Sequence, residues 1–347
     1  MRNCYISRNY KTTSSGGGRA KTDFEKIMER EGFHNLGLRR TTHSNMVIDF
    51  FLTLEGVVKA VCTIRKGDVL LLQYPMKKYY EFVCNIAHRR GAKVISLIHD
   101  LGSFRRKKLT VEREMRRLAH SDGLIVHNKT MYQWLKDKGY QGEMVIIGIF
   151  DYLSPEPIDS VRQLPSLPQD YSLFFAGSLS TKSNAYLYMM PPFLGSHKLH
   201  LYGSGFDHSL GTNNILVEEG FRNDYDLMKC NHGDFGLSWY GESLSEGKGR
   251  IGEYMAYNNP HKVGLYLRCH APVILSKHAG LAPFVEENGV GICIDSLEDI
   301  DKVLNSITPE EYNQMKENAK KVSQRLADGY YFRTAFAKIT NQLQLSR

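Results

Sequence analysis

Lys262 stands in the stretch YNNPHKVGLYLRCHAPVIL, residues 257–275, where Pro260 behind Asn258 and Asn259 signals a helix start. Proline at the first helical position needs no N–H partner, and an asparagine before it can cap. His261 and Lys262 then fall in the first turn, where the positive end of the helix dipole disfavours a cation by about 0.3–1 kcal/mol. A diphosphate seated on that N-terminus would outweigh this term, because it takes backbone N–H groups and the lysine charge together. The competing explanation is a solvated lysine tolerated at a helix end.

Four other loops carry residues of chemical interest. Thr12–Arg19, TTSSGGGR, offers Ser15, Gly16, Gly17, Gly18 and Arg19, a run that permits close backbone approach to phosphate or sugar oxygens and is equally the composition of a flexible surface loop. It is neither a Walker A loop nor G-x-G-x-x-G, and Gly247-Lys248 is followed by glycine, so a P-loop NTPase is disfavoured. Asp100, closing the run Ile98-His99-Asp100 at the end of an apolar segment, is the candidate general base, with His99 as alternate; a structural aspartate capping the next segment is the bland reading. Ala176-Gly177-Ser178 leading to Lys182, and Tyr202-Gly203-Ser204-Gly205, offer tight turns with backbone donors. The D-x-D triplets at Asp224/Asp226 and Asp299/Asp301 sit in helical patterns and read as solvated faces. No H-x-x-x-H or comparable cluster appears, so no metal is expected.

Arg105–Arg117, RRKKLTVEREMRR, carries seven basic and two acidic side chains. Val111, Met115 and Leu118 form an inner helical face and Glu112–Arg116 an i,i+4 pair, which describes a solvated helix. The sharper alternative is a surface for anionic membrane or a lipid-diphosphate acceptor.

The elements that must position these residues are β-α units. Short apolar runs such as Val69–Gln73, Lys93–His99 and Gly123–His127 alternate with helical patterns, the signature of a buried parallel sheet. Cys4–Ser7 reads as the first strand, and Thr22–Glu25 as a capping box opening the first helix. The proline-rich segment after Asp151 is the expected linker, over 153–170. It separates a first domain, 1–152, from a second, 171–330, and a final helix over 331–347 is expected to pack back on the first domain. The predicted architecture is α/β, two Rossmann-like domains facing a cleft, and in such sheets ligands gather beyond the carboxyl ends of the strands.

At 347 residues, 42% hydrophobic and 24% charged, the chain suits two ordinary globular domains. Six cysteines without paired spacing suggest reduced thiols and a cytoplasmic setting, and no apolar run reaches the roughly 20 residues of a membrane span. The net charge of +8 favours anionic partners, while the lack of a reading motif argues against nucleic acid.

Asp234-Phe-Gly-Leu-Ser-Trp-Tyr-Gly241, Gly252-Glu-Tyr254, the Tyr257–Leu267 stretch, Ala271-Pro-Val-Ile274 and Ala282-x-Phe-Val285 with Gly289-Val-Gly-Ile292 together resemble the C-terminal domain of GT-B glycosyltransferases. The similar group is the bacterial glucosyltransferase 3-like family, which includes galactofuranosyltransferases of surface-polysaccharide (capsule or O-antigen) clusters. The likeness runs in order from about Tyr171 to Ile294; in the first domain the glycine loop and His99-Asp100 correspond. It implies transfer of a hexosyl unit from a UDP-sugar, bound mostly by the second domain, to a glycan, glycolipid or glycoprotein acceptor, without metal. By the same resemblance Lys262 holds the diphosphate, Asn258 and His261 lie beside it, and Lys182 approaches the nucleotide. Ser178, Gly203, Tyr240 and Tyr257 are further candidate contacts; the family's Gly-Asn-Leu turn reads Gly177-Ser178-Leu179 here. Expected partners are the UDP-sugar, a glycan or lipid-diphosphate-linked acceptor, the inner membrane face through Arg105–Arg117, and a second copy of the chain. The alternatives are a non-catalytic nucleotide- or glycan-binding module, and a metal-dependent transferase using Asp299 and Asp301.

Overall fold

The computed structural model describes residues 1–10, 16–76, 79–105, 109–154, 171–211, 214–240, 242–245 and 249–345, apart from the side chains of 16, 17 and 249–251. The expected linker from residue 155 onward, Ser15, and residues 106–108 of the basic stretch lie outside the described residues. The chain forms two compact units, residues 1–151 with 329–347, and residues 152–328.

The first unit runs β1 (Asn3–Tyr5), α1 (Gly16–Arg30), β2 (His34–Asn35), α2 (Met46–Thr63), β3 (Val69–Tyr74), α3 (Tyr80–Arg89), β4 (Lys93–Ile98), α4 (Gly102–Arg105), α5 (Val111–Leu118), β5 (Gly123–Val126), α6 (Lys129–Asp137) and β6 (Glu143–Ile146). Its six strands are parallel in the order β2-β1-β3-β4-β5-β6. Every residue of β3 is buried, as a strand covered by helices on both faces requires.

The second unit runs β7 (Leu173–Ser178), α7 (Thr181–Asn184), α8 (Tyr186–Met189), β8 (Leu199–Ser204), β9 (Leu216–Glu218), α9 (Asp224–Cys230), β10 (Phe235–Ser238), α10 (Gly249–Tyr254), α11 (His261–Arg268), β11 (Val273–Ser276), α12 (Ala282–Asn288), β12 (Gly291–Ile294), α13 (Ile300–Ser306) and α14 (Pro309–Asp328). Its sheet is also parallel, ordered β12-β11-β10-β7-β8-β9. The order reverses between β7 and β10, and that switch point is where an open α/β sheet leaves a crevice for a ligand. A core of Phe175, Tyr186, Phe235, Trp239 and Tyr312 packs this sheet.

The chain ends in α15 (Tyr330–Gln342), which rejoins the first unit against β5 and β6. Buried Asp151 fixes its start, accepting the N–H groups of Tyr331 at 3.1 Å and Phe332 at 2.7 Å. Burial raises the Asp151 carboxyl to about 7 even so. Among the described residues no helix is long and apolar enough to cross a membrane.

The structure corrects several expectations. α1 begins at Gly16, so the glycine triad is its first turn and not a loop before it. Thr22 opens no helix: it lies inside α1, and its hydroxyl donates to the Arg19 carbonyl at 2.9 Å. Glu25, the other half of the supposed box, is buried and accepts from Ser7, Tyr10 and Arg40. α5 is no plain solvated helix. Glu114 is fully buried on its inner face and accepts the Tyr74 hydroxyl and the N–H groups of Gly102 and Ser103, capping α4; the expected Glu112–Arg116 pair does not form. α2 is an addition: Asn45 caps it, and it leaves Val47, Phe51, Leu54 and Val58 exposed along one side.

Candidate active site

At the strand ends of the first unit nearly every polar group is engaged. His99 follows β4 with Nε2 2.7 Å from Gln73 Oε1, and its ring packs against Phe24 and Phe150, each centroid 5.4 Å away. Asp100 is bound by Arg105, whose guanidinium donates to Oδ2 at 2.5 Å. As a general base, Asp100 would have to release Arg105 to a substrate or share it. Arg8 donates to the carbonyls of Gln73 and Pro75 beside the β1/β3 reversal. In α1, Arg19 is paired with buried Asp23 at 3.0 Å. The helix places Gly16, Gly17 and Gly18 at a helix N-terminus that follows β1.

The second unit differs. Lys262 lies in the first turn of α11, and its Nζ stands 4.1 Å from the ring centroid of Phe175, inside β7, and 4.3 Å from that of Tyr240, which follows β10. The two rings therefore come from the two strands that flank the switch point. Ring faces attract the ammonium, yet they remove water from it. No carboxylate pairs with it among the described residues, and desolvation lowers its pKa to about 7. Burial pushes the Tyr240 phenol up, so it remains a neutral wall.

The helix start differs from expectation in one detail. Pro260 is itself the N-cap, with φ −68° and ψ 126°, and its own side chain makes no capping hydrogen bond; Asn258 instead donates its N–H to Tyr254 O. His261 stacks on Tyr152 at 4.5 Å, while Tyr257 and Asn258 are half-buried beside it in sequence.

On the β7 side, Ser178 is exposed at the strand end, and Asn184 Nδ2 donates to its carbonyl at 2.7 Å, closing the turn into α7. Lys182 is exposed in that short helix and makes no ion pair. Gly203 has a packing reason: a Cβ there would stand 1.8 Å from Gly177 O, and its N–H is donated to Gly220 O.

Three residues outside the sequence reading shape this site. Phe175 forms the floor under Lys262. Tyr266, on α11, accepts the Ala176 N–H at 3.0 Å and so fixes the end of β7. Gly236 makes room for that reach, since a Cβ there would lie 2.4 Å from the Tyr266 ring. The glycine inside an otherwise apolar strand was the one visible signal, because it marks close approach. The D-x-D residues serve local ends: Asp226 pairs with Asn223 at the start of α9, and Asp301 accepts from Asn305.

A fixed, desolvated cation, a helix N-terminus and the switch-point crevice converge on one place, and together they can neutralise a leaving diphosphate. Comparison with known proteins gives the family. The family model described as Glucosyltransferase 3-like, N-terminal domain, matches residues 3–149, and the one for the C-terminal domain matches 173–339. The chain is 28% identical over 285 residues to the beta-1,6-galactofuranosyltransferase WbbI of Escherichia coli (strain K12), covering 82% of each chain. It is 25% identical over 321 residues to Glucosyltransferase 3 of Streptococcus gordonii, covering 90% of each. A glycosyltransferase from Rickettsia africae ESF-5 superposes with a TM-score of 0.63 over 99% of this chain and 100% of that one, at 10% identity, a likeness of fold alone.

Proposed function

Because the chain belongs to the glucosyltransferase 3-like family, and so is a GT-B glycosyltransferase, we propose that it moves a hexosyl unit from a UDP-sugar to a glycan, glycolipid or glycoprotein acceptor in surface-polysaccharide or glycoconjugate assembly. Galactofuranose, galactose and glucose are the candidate sugars; relatives named as a galactofuranosyltransferase and a glucosyltransferase support that set. The observation that carries the reading is the Lys262 ammonium, desolvated between Phe175 and Tyr240 in the first turn of α11, with no carboxylate to balance it among the described residues.

In this reading the diphosphate of the donor lies across the N-terminus of α11. A carboxylate, Asp100, accepts the proton of the acceptor hydroxyl as its oxygen attacks the anomeric carbon. The bond from that carbon to the diphosphate breaks, and its electron pair stays on the phosphate oxygen, where Lys262 and the helix N–H groups meet the charge. Lys182 and Ser178 approach from the β7 side, and His261, Asn258 and Tyr257 from the loop before α11. The Gly16–Arg19 turn of α1 is assigned to the acceptor side. With a cation already built into the protein, no metal is needed for this step.

Transfer at the cytoplasmic face of the membrane suits a lipid-diphosphate acceptor. Two features of the first unit support peripheral contact there: exposed Arg113 and Arg116 in the Arg105–Arg117 stretch, and the exposed apolar side of α2. Flotation with anionic vesicles tests the contact; a concentration-dependent mass without flotation would assign the α2 face to a second copy instead.

The direct test of the reaction is product analysis after incubation with UDP-galactofuranose, UDP-galactose and UDP-glucose and an acceptor panel, in EDTA. Transfer from one of them supports the proposal. Transfer that requires an added divalent ion would overturn the metal-independent step.

A further inference from the structure

A second constellation lies at the other end of the second sheet. His200 is the second residue of β8, Glu219 directly follows β9, and His232 lies between α9 and β10. Both histidines bring Nδ1 to within 2.8 Å of the same carboxylate oxygen, Glu219 Oε1, and the three ligand atoms lie within 4.8 Å of one another. The ring centroids are 5.6 Å apart and inclined at 65°, so the two nitrogens converge and the rings do not stack. The backbone holds the cluster in place: Glu219 N–H donates to Leu201 O, and His232 N–H to the Tyr202 hydroxyl at 2.9 Å.

We propose that His200, Glu219 and His232 form a binding site for a divalent first-row transition-metal ion of the zinc type. Two imidazoles and one carboxylate are a donor set suited to such an ion, which takes nitrogen at about 2.0–2.1 Å and oxygen at about 2.0–2.2 Å. Tetrahedral bonds of that length separate ligand atoms by about 3.4 Å, so the cluster has to open only slightly to admit the ion. His232 can supply that movement, because its side chain is 50% exposed whereas those of His200 and Glu219 are 13% and 14% exposed. Each neutral ring then carries its proton on Nε2, and water completes the coordination.

The ion ties the outer strand pair β8/β9 to the segment entering β10, next to the central strands. It sits at the amino-terminal end of β8, whereas Ser178 and Lys262 follow carboxyl ends of strands, so its role is structural and separate from sugar transfer. Nothing in the spacing of positions 200, 219 and 232 announces it; the sheet alone assembles the three.

The test is calorimetric titration of Zn²⁺ into EDTA-stripped, dialysed full-length protein without nucleotide, with thermal unfolding followed in parallel. One Zn²⁺ per chain is expected, with Tm raised by roughly 5 °C at a hundredfold excess over Kd. His232→Ala, and Glu219→Gln with its unchanged shape, are expected to lose both effects. No uptake by the natural protein would overturn the proposal. Equal uptake by both variants would also overturn it and would place the ion on the exposed thiols of Cys62 or Cys230.

Discussion

Two charged side chains near strand ends, Asp100 in the first unit and Lys262 in the second, are left in opposite electrostatic states. In the first unit Asp100 meets Arg105 just after β4, and in α1 Asp23 meets Arg19 and Glu25 meets Arg40. In the second, Lys262 meets two aromatic faces and no carboxylate among the described residues. A paired charge is already compensated and holds a fold in place. A desolvated charge without a counter-ion is costly until a ligand arrives, and that cost is what makes a selective anion site. In the proposed reaction, the second unit would bind the leaving group and the first would handle the acceptor.

The largest expected effect separates those two roles. Asp100→Asn should lower turnover by about 10²–10⁴-fold, the usual worth of a general base, while UDP affinity stays unchanged. Normal turnover would leave Asp100 as a partner of Arg105 only, and His99→Gln would then be the variant to examine. A smaller effect compares glycines. Gly236→Ala drives a methyl to 2.4 Å from the Tyr266 ring and should cost about 1–3 kcal/mol in urea unfolding. Gly123→Ala in the first unit meets the aliphatic side chains of Ile339 at 3.0 Å and Leu343 at 3.2 Å and should cost less; equal losses would remove the special place given to the Tyr266 contact.

A third effect is a pH slope in the first unit. The Asp151 carboxyl is raised in the folded state from 3.8 to about 7, so the folded protein binds its proton more tightly than the unfolded chain does. Its contribution to stability is therefore full below about pH 4 and lost as pH rises through about 7, at no more than about 1.4 kcal/mol per pH unit. Denaturant midpoints for Asp151→Asn should show a flatter decline over that window. An identical decline would mean that the N–H groups of Tyr331 and Phe332 offset the burial.

Much of the fold was legible because parallel strands covered on both faces read as unbroken apolar runs, as in Val69–Tyr74 and Lys93–Ile98. α2 was not, since its apolar residues face both the unit and the solvent and so blur the helical period. The start of α1 was hidden by its own chemistry. Three glycines have poor helix propensity, and Thr22 with Glu25 mimics a cap that Glu25 abandons for Ser7, Tyr10 and Arg40. Lys262 stood out because a cation in a first turn conflicts with the helix dipole. Phe175, Gly236 and Tyr266 did not, because their contacts join residues far apart in the chain, and only the strand order β10-β7 brings them together.

The central claim is that Lys262 binds a diphosphate as a cation. Titration of UDP into the natural protein and Lys262→Ala, between pH 6 and 9, tests it most directly. Removing one charge-assisted contact should raise Kd about tenfold or more at pH 6. In the natural protein, where burial places the free lysine near 7, affinity should weaken as pH rises above that value and binding should take up a proton; Lys262→Ala should show neither. Equal UDP affinity in the two proteins across that range would contradict the assignment.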